Sequence, residues 1–156
     1  MPASAHMNAF TLYDLSGSLT SDNEFRDSEA RSAYYCQVLR QNPLSTKIIR
    51  MADWPLQSLK DPASAWLYFT STDKMEGYIK FGSRWFTGLD GGKYKWKPAS
   101  RSLHCYDENE RLLAVYEYGV DDVYFAKLDI KQGAEDMVIE IITTLLLNRH
   151  NIHRSP

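Results

Sequence analysis

The chain has 156 residues, 44% of them hydrophobic, which is enough apolar material for one globular domain with its own core. Eighteen Lys and Arg residues stand against 20 Asp and Glu residues, so the formal net charge is −2 and no global positive field attracts nucleic acid or an anionic membrane. A partner of that kind has to be recognised by a local patch.

The first residues and the longest apolar run of the chain fit neither a secretory signal peptide nor a transmembrane segment. Residues 1–6 lack the charged and apolar regions of a secretory signal peptide, so we expect a cytoplasmic protein that is at most peripheral at membranes. We expect residues 1–7 to be a disordered leader or a cloning remnant, residues 8–152 to form a single domain and residues 153–156 to be a tail. The longest apolar run, residues 137–147, is shorter than the roughly 20 residues of a transmembrane segment.

From residue 8 to residue 129, short runs rich in Val, Ile, Tyr, Phe, Trp and Thr alternate with turn-forming residues. Two stretches, 16–29 and 53–64, are less regular and are predicted to be mobile loops. Polar or Gly-rich turns at 90–92, 107–110 and 119–122 indicate antiparallel meanders. The predicted strands are 9–13, 33–39, 46–51, 66–70, 77–81, 84–87, 93–97, 102–106, 112–118 and 123–130. About ten strands in one domain predict a sandwich or a barrel.

The spacing of the apolar residues changes near the C-terminus, where the pattern of residues 134–150 predicts a helix. Its apolar residues cover nearly the whole circumference and leave only Glu140, Thr143 and Thr144 as a polar strip. Such a helix has to be enclosed, and its length of about 24 Å matches a small barrel. The predicted fold is therefore mainly β, a closed antiparallel β-barrel of about ten to twelve strands around a central hydrophobic C-terminal α-helix. A helix lying on an open sheet would expose half of its apolar surface.

The sequence indicates no catalytic group, metal site or cofactor. Cys36 and Cys105 have no metal-like spacing and are predicted to be buried thiols. No Walker, GxSxG, HExxH or GxGxxG motif is present. Glu140 lies in the middle of the predicted helix, so its carboxylate must be paired, protonated or at an opening. The favoured interpretation is a structural partner from the barrel wall, and the alternative is a general acid or base in a pocket.

Several segments together resemble an uncharacterised fungal domain family that has a DG-x-x-Y-x-W-K hairpin and a closing hydrophobic helix. They are Phe86, Asp90-Gly91, Tyr94-Lys95-Trp96-Lys97, Leu103, Leu112-Leu113-Ala114, Leu128 and residues 137–147, with Tyr34-Tyr35 and residues 45–50 upstream. That family looks like a member of the tubby C-terminal-like superfamily, together with LURP-one-related proteins and phospholipid scramblases. The resemblance implies a closed barrel of about twelve strands around a central C-terminal helix, and it carries over no catalytic residue.

The densest basic segment runs from residue 84 to residue 101 and contains a single acid, Asp90. Its candidate ligand-binding residues are Arg84, Lys93, Lys95, Lys97 and Arg101. On a strand the three lysines point to one face, and Tyr94 and Trp96 point to the other. The lysine row can hold phosphates of a lipid head group, as basic residues on barrel strands do in tubby proteins, or a nucleic-acid backbone, which is the less favoured partner. The alternative is that the lysines bind no ligand and form a solvated strand face that protects the sheet against aggregation.

We therefore expect a non-enzymatic binding module whose partner is an anionic lipid head group, another phosphate-bearing ligand or a protein. One alternative is a small-molecule enzyme of the isomerase or cyclase type, with a pocket at the barrel mouth near residues 16–29 and 53–64. A polar cavity that contains Glu140, or one where Asp53, Trp54 and a tyrosine converge, would support it. The other is a protein–protein interaction module that uses exposed Trp54 and Trp85.

Overall fold

A computed structural model describes residues 7–41, 44–68, 84–88, 91–119 and 121–154, and all structural statements below concern these residues. They form ten strands, followed by a short 3-10 turn (Glu135–Met137) and one C-terminal helix. The elements are β1 (Asn8–Asp14), β2 (Asn23–Arg26), β3 (Ser32–Gln41), β4 (Leu44–Arg50), β5 (Ser64–Tyr68), β6 (Arg84–Thr87), β7 (Lys93–Ala99), β8 (Ser102–Asp107), β9 (Leu112–Tyr118), β10 (Ala126–Lys131) and α1 (Val138–Arg154). The mainly β class with a C-terminal helix is confirmed.

All ten strands belong to one antiparallel sheet in the order β5-β4-β3-β2-β1-β10-β9-β8-β7-β6. Two meanders, β1 to β5 and β6 to β10, are joined where the first strand pairs with the last. Within the described residues, no ladder connects the two ends of this order, β5 and β6. The predicted strand at residues 77–81 lies outside the described residues.

The sheet curves around α1, which occupies the core. Six apolar side chains on one half of the helix are at most 5% exposed: Val138, Ile139, Ile141, Ile142, Leu145 and Leu146. The side chains on the other half, among them Glu140 and Leu147, are partly buried. The helix contacts β4 and β5 at one end of the sheet order. Near the other end, the Trp96 indole on β7 donates a hydrogen bond of 2.9 Å to Thr144 Oγ1. The expectation that the helix packs into the core is confirmed for its buried half, and its complete enclosure by strands stays a prediction.

Buried polar groups hold both ends of α1. At its N-terminus, the Asp61 carboxylate accepts the Ile139 N–H at 3.0 Å and the hydroxyl of Tyr34. Burial raises the pKa of the Asp61 carboxyl and of the Tyr34 phenol. At the C-terminal end, Arg149 Nη2 donates to the Gly17 carbonyl at 2.8 Å and Nη1 lies 3.6 Å from Asp14 Oδ2. A carboxylate distant in sequence therefore satisfies one N–H group in the first turn of the helix, and Arg149 connects the C-terminal half of the helix to the loop after β1.

The structure places a strand where the sequence predicted an irregular loop. β2 lies inside residues 16–29 and is only four residues long, with two polar or charged ends. It forms because Asn23 and Phe25 both face the interior and Asn23 Nδ2 donates to Asp14 Oδ1 at 2.6 Å. A buried asparagine with a distant carboxylate partner leaves no hydrophobic period in the sequence.

The structure also tests the predicted strand at residues 123–130 and the two predicted buried thiols. Residues 123–125 were predicted as strand but form a turn, because Asp121 Oδ1 accepts the N–H groups of Val123 and Tyr124. Cys36 and Cys105 are both buried and unbridged, which confirms the predicted thiols.

Candidate functional site

The predicted lysine row lies on β7, whose side chains alternate only in part. Tyr94 and Trp96 are buried in the core, and Lys93 and Lys97 are exposed. Lys95 lies between the two exposed lysines, yet it is 8% exposed and its ammonium is 2.8 Å from Glu110 Oε1. The same hydrogen bond and charge hold the pKa of the Glu110 carboxyl below its ordinary value. Lys95 is thus engaged within the protein and differs from its two neighbours in the row.

The outer face of β8 completes the surface beside Lys97. Three polar side chains alternate with buried Leu103 and Cys105 along this strand: Ser102, His104 and Tyr106. His104 is the direct cross-strand neighbour of Lys97, and the Lys97 ammonium lies 5.6 Å from the Tyr106 ring centroid. The imidazole of His104 is 3.0 Å from Ser102 Oγ and 3.4 Å from the Tyr106 hydroxyl. We call the surface formed by Lys93, Lys97, Ser102, His104 and Tyr106 the β7–β8 face.

Sequence reasoning missed the three β8 residues, although their signal was present. The alternation of polar residues at 102, 104 and 106 with apolar residues at 103 and 105 indicates a strand with one outward polar face. Their position beside the lysines depends on the β7–β8 register, which pairs residue 97 with residue 104. His104 and Cys105 point to opposite faces, as the strand prediction requires.

The other two predicted residues are Arg84 and Arg101. Arg84 is the first residue of β6 and pairs in register with Trp96, and its side chain lies outside the described part of the structure. Arg101 is in the turn after β7 with a φ of 61°, and a Cβ on Gly119 would lie 2.7 Å from its Nη2. The Arg101 guanidinium therefore lies against the β9–β10 turn. Lys93 and the end of β7 at Ala99 are about 20 Å apart along the strand.

The loop between β4 and β5 is not the aromatic site that the sequence suggested. Trp54 is 2% exposed, packs against Phe10 and Tyr34, and donates its indole N–H to Asp27 at 2.9 Å. Asp53 beside it is exposed. The prediction that Trp54 is an exposed contact residue is wrong, because the indole completes the core beneath the loop. The Trp85 side chain lies outside the described part of the structure.

A small pocket lies at the opposite end of α1, with an empty space of about 310 Å³ that includes open solvent. Its apolar wall includes Leu19, Val38 and Leu146, and His150 is at its rim. Glu140, which the sequence singled out, is only partly buried and is not among the residues that line this pocket. The described residues contain no group of three His, Cys, Asp or Glu side chains placed to hold a metal ion.

No helix of the described chain has the length and apolar character needed to cross a membrane.

Comparison with known sequences assigns the family. The sequence profile of DUF6593, a family of unknown function, matches residues 10–153. The chain belongs to this family. The DUF6593 match extends from β1 into α1, so it includes the β7–β8 face and both ends of the sheet. The family assignment agrees with the resemblance to an uncharacterised domain family that the sequence motifs implied.

Other comparisons add a distant structural similarity. No curated protein matches the DUF6593 chain. The X-ray structure of a protein from Arabidopsis thaliana is similar at 9% sequence identity and a TM-score of 0.44, covering 98% of this chain and 96% of that chain.

Proposed function

We propose that this DUF6593 domain is a non-enzymatic binding module that holds an anionic lipid head group, or another phosphate-bearing ligand, on the β7–β8 face. The observation that carries the proposal is the exposed Lys97 ammonium beside three polar side chains on the neighbouring strand, all presented from a rigid antiparallel pair. An ammonium, an imidazole and two hydroxyls can each donate a hydrogen bond to phosphate oxygens.

The packed interior supports a ligand on the outside of the sheet. α1 packs against the inner side of the sheet, and six of its apolar side chains are at most 5% exposed. A small-molecule pocket of ordinary size needs several hundred cubic ångströms of concave, enclosed space. The β7–β8 face is instead an open surface, which suits a head group at a membrane.

The finer architecture belongs to the same proposal. We propose that the sheet closes into a barrel of the tubby C-terminal-like type. Its support is that no side chain of α1 between residues 138 and 150 is exposed and that the helix contacts strands near both ends of the sheet order.

Vesicle co-sedimentation tests the lipid proposal. The vesicles contain phosphatidylcholine alone, phosphatidylcholine with phosphatidylserine, or phosphatidylcholine with a phosphoinositide, each at low and at high salt. We expect binding to the anionic vesicles that weakens at high salt, because exposed charges are screened by ions. Soluble inositol phosphate is added as a competitor to distinguish a lipid surface from a free phosphate-bearing ligand.

The decisive variant is the double charge reversal Lys93→Glu and Lys97→Glu. Each lysine near an anionic surface contributes about 1 kcal/mol, so replacing two positive with two negative charges costs about 4 kcal/mol, or about a thousandfold in affinity. The matched control is Lys60→Glu, since Lys60 is exposed in the β4–β5 loop, outside the β7–β8 face. Absence of binding to every anionic vesicle and to inositol phosphate, or an equal loss per charge in the Lys60 variant, contradicts the proposal.

A further inference from the structure

His104 lies in the middle of the β7–β8 face, with a hydroxyl group at each of its ring nitrogens. Its Nε2 is 3.0 Å from Ser102 Oγ, and its Nδ1 is 3.4 Å from the Tyr106 hydroxyl. Lys97 is its direct cross-strand neighbour on β7. The His104 side chain is only partly buried, so a ligand on the outside of the sheet can reach it.

The imidazole changes its hydrogen-bonding role when it takes up a proton. A neutral imidazole has one N–H donor and one nitrogen that accepts, so one of the two hydroxyl groups has to donate its hydrogen to the ring. The Ser102 hydroxyl can also donate to the Ser100 carbonyl at 3.5 Å, which favours Tyr106 as the group that donates to Nδ1. An imidazolium donates from both nitrogens, and the Tyr106 hydroxyl then becomes free to donate to a ligand.

Charged groups of both signs surround this ring. The charged and titratable side chains of β7, β8, β9 and the β8–β9 turn near it are Lys95, Lys97, Tyr106, Glu110 and Glu117. The Lys95 ammonium is 2.8 Å from Glu110 Oε1, and these two charges are engaged with each other. The Glu117 carboxylate, on the strand beyond, is 3.8 Å from the Lys127 ammonium. Lys97 is exposed next to His104, so an imidazolium there places two positive charges side by side, and an anion bound between them removes their repulsion.

We infer that proton uptake by His104 strengthens the binding of phosphate esters on the β7–β8 face. The domain then holds its anionic ligand more tightly in weakly acidic than in neutral conditions. This regulation rests on the proposed function and adds a dependence on pH to it. Imidazole is the side chain that ordinarily changes its charge between about pH 5 and 8. Its protonation adds a positive charge and frees a hydroxyl donor at the same place, and by linkage the bound anion draws a proton onto the ring.

The test requires ligands whose own charge is constant over this range of pH. Phosphate monoesters are unsuitable because they lose a second proton near about pH 6. Phosphatidylglycerol is a phosphodiester and inositol hexasulfate carries sulfate esters, so both keep their charge. Vesicles of phosphatidylcholine with phosphatidylglycerol provide a lipid surface, and soluble inositol hexasulfate provides a free anionic ligand.

Vesicle co-sedimentation and isothermal titration calorimetry measure the dissociation constants at two pH values. We expect the wild-type Kd to be about tenfold lower at about pH 5.5 than at about pH 7.5, because one added positive charge near an anionic surface gives about fivefold and the freed hydroxyl the rest. Calorimetry in buffers of different ionisation enthalpy should also detect proton uptake when the ligand binds.

Three variants assign the proton to its residue. His104→Gln keeps hydrogen-bonding groups but takes up no proton, so its two Kd values should differ by less than about twofold and the proton uptake should disappear. His104→Arg has a permanent positive charge and should show the same small ratio, which tests the inference if the Gln variant does not fold. His153→Gln is the matched control, since residue 153 lies near the C-terminal end of α1, outside the β7–β8 face, and it should keep the wild-type ratio and the proton uptake.

Three results would overturn the inference. Equal affinity of the wild-type protein at both pH values would do so and leave the proposed function intact. A wild-type ratio that persists in His104→Gln, with a native circular dichroism spectrum, would assign the proton to another group. Absence of binding to both probes at both pH values would also overturn it, and the proposed function falls as well only when the phosphatidylserine and phosphoinositide vesicles fail to bind too.

Discussion

Arg149 provides the strongest test of how α1 is held in the sheet. Its Nη1 is 3.6 Å from Asp14 Oδ2, its Nη2 donates to the Gly17 carbonyl at 2.8 Å, and its guanidinium lies over the rings of Tyr116 and Phe125. The Arg149 and Asp14 side chains are 3% and 0% exposed. Arg149→Met keeps a long apolar side chain and removes both the charge and the hydrogen bond.

The expected loss follows from the buried charge that remains. Removing one partner of a buried ion pair costs about 3–5 kcal/mol, because the other charge is left without compensation. Asp14 keeps three donors in the variant, the Tyr116 hydroxyl at 2.6 Å, Asn23 Nδ2 at 2.6 Å and the Gly17 N–H at 2.9 Å. We therefore expect the lower end of this range, about 3 kcal/mol. The free energy of unfolding of a domain of this size falls by about 2 kcal/mol per molar urea, so the unfolding midpoint of the variant should be about 1.5 M lower.

Urea unfolding followed by tryptophan fluorescence and circular dichroism measures this loss. The double variant Asp14→Asn, Arg149→Met should lose less than the sum of the two single variants, because it removes the charge together with its partner. Arg149→Lys keeps the charge and serves as the milder comparison if the Met variant does not fold. A loss below about 1 kcal/mol in Arg149→Met, or strictly additive losses, would refute the reasoning.

Two further predictions concern the loops that support this cluster and the β4–β5 loop. Gly17 has a φ of +68° and an added Cβ would lie 2.3 Å from the Phe125 ring, whereas Gly91 has a φ of +82° with open space around it. Gly91→Ala should therefore lower the free energy of unfolding by about 1 kcal/mol, the cost of the left-handed backbone, and Gly17→Ala by at least twice as much. Equal losses in thermal unfolding would show that the ring does not resist the methyl group. Burial by itself raises the pKa of Asp27, but hydrogen bonds from the Trp54 indole and from the Arg31 backbone and side chain outweigh it and lower that pKa. A lowered folded-state pKa contributes stability above the unfolded value of about 3.9 and loses it as the pH falls through the folded value, so Asp27→Asn should be destabilised at neutral pH and approach the wild type in acid. Parallel curves of stability against pH for the two proteins would contradict this origin.

Local periodicity was sufficient for most of the secondary structure. Alternation along β7 predicted which aromatic residues enter the core, and the apolar pattern of residues 137–147 predicted a helix that packs into the core. These features are visible in the sequence because the side chains of one strand or helix repeat with a fixed period. The buried thiols followed from their number and spacing.

The candidate site was predictable only in part. Lys93 and Lys97 are exposed as the strand pattern required, but the pattern could not show that Glu110, 15 residues away, pairs with Lys95. The β8 residues beside Lys97 depend on cross-strand register. Register arises from the packing of the whole sheet.

The sequence by itself determined that this chain is a mainly β domain with a buried C-terminal helix, because the period and polarity of short segments are local properties. The tertiary structure decided which residues distant in the sequence contact one another. It buried Trp54 against Asp27, made a strand of residues 23–26 through the Asn23–Asp14 bond, and set Arg149 on Asp14 across the whole length of the chain. These outcomes depend on the free energy of contacts between residues that are distant in the sequence. A buried polar group is stable only where the fold brings a hydrogen-bonding partner to it.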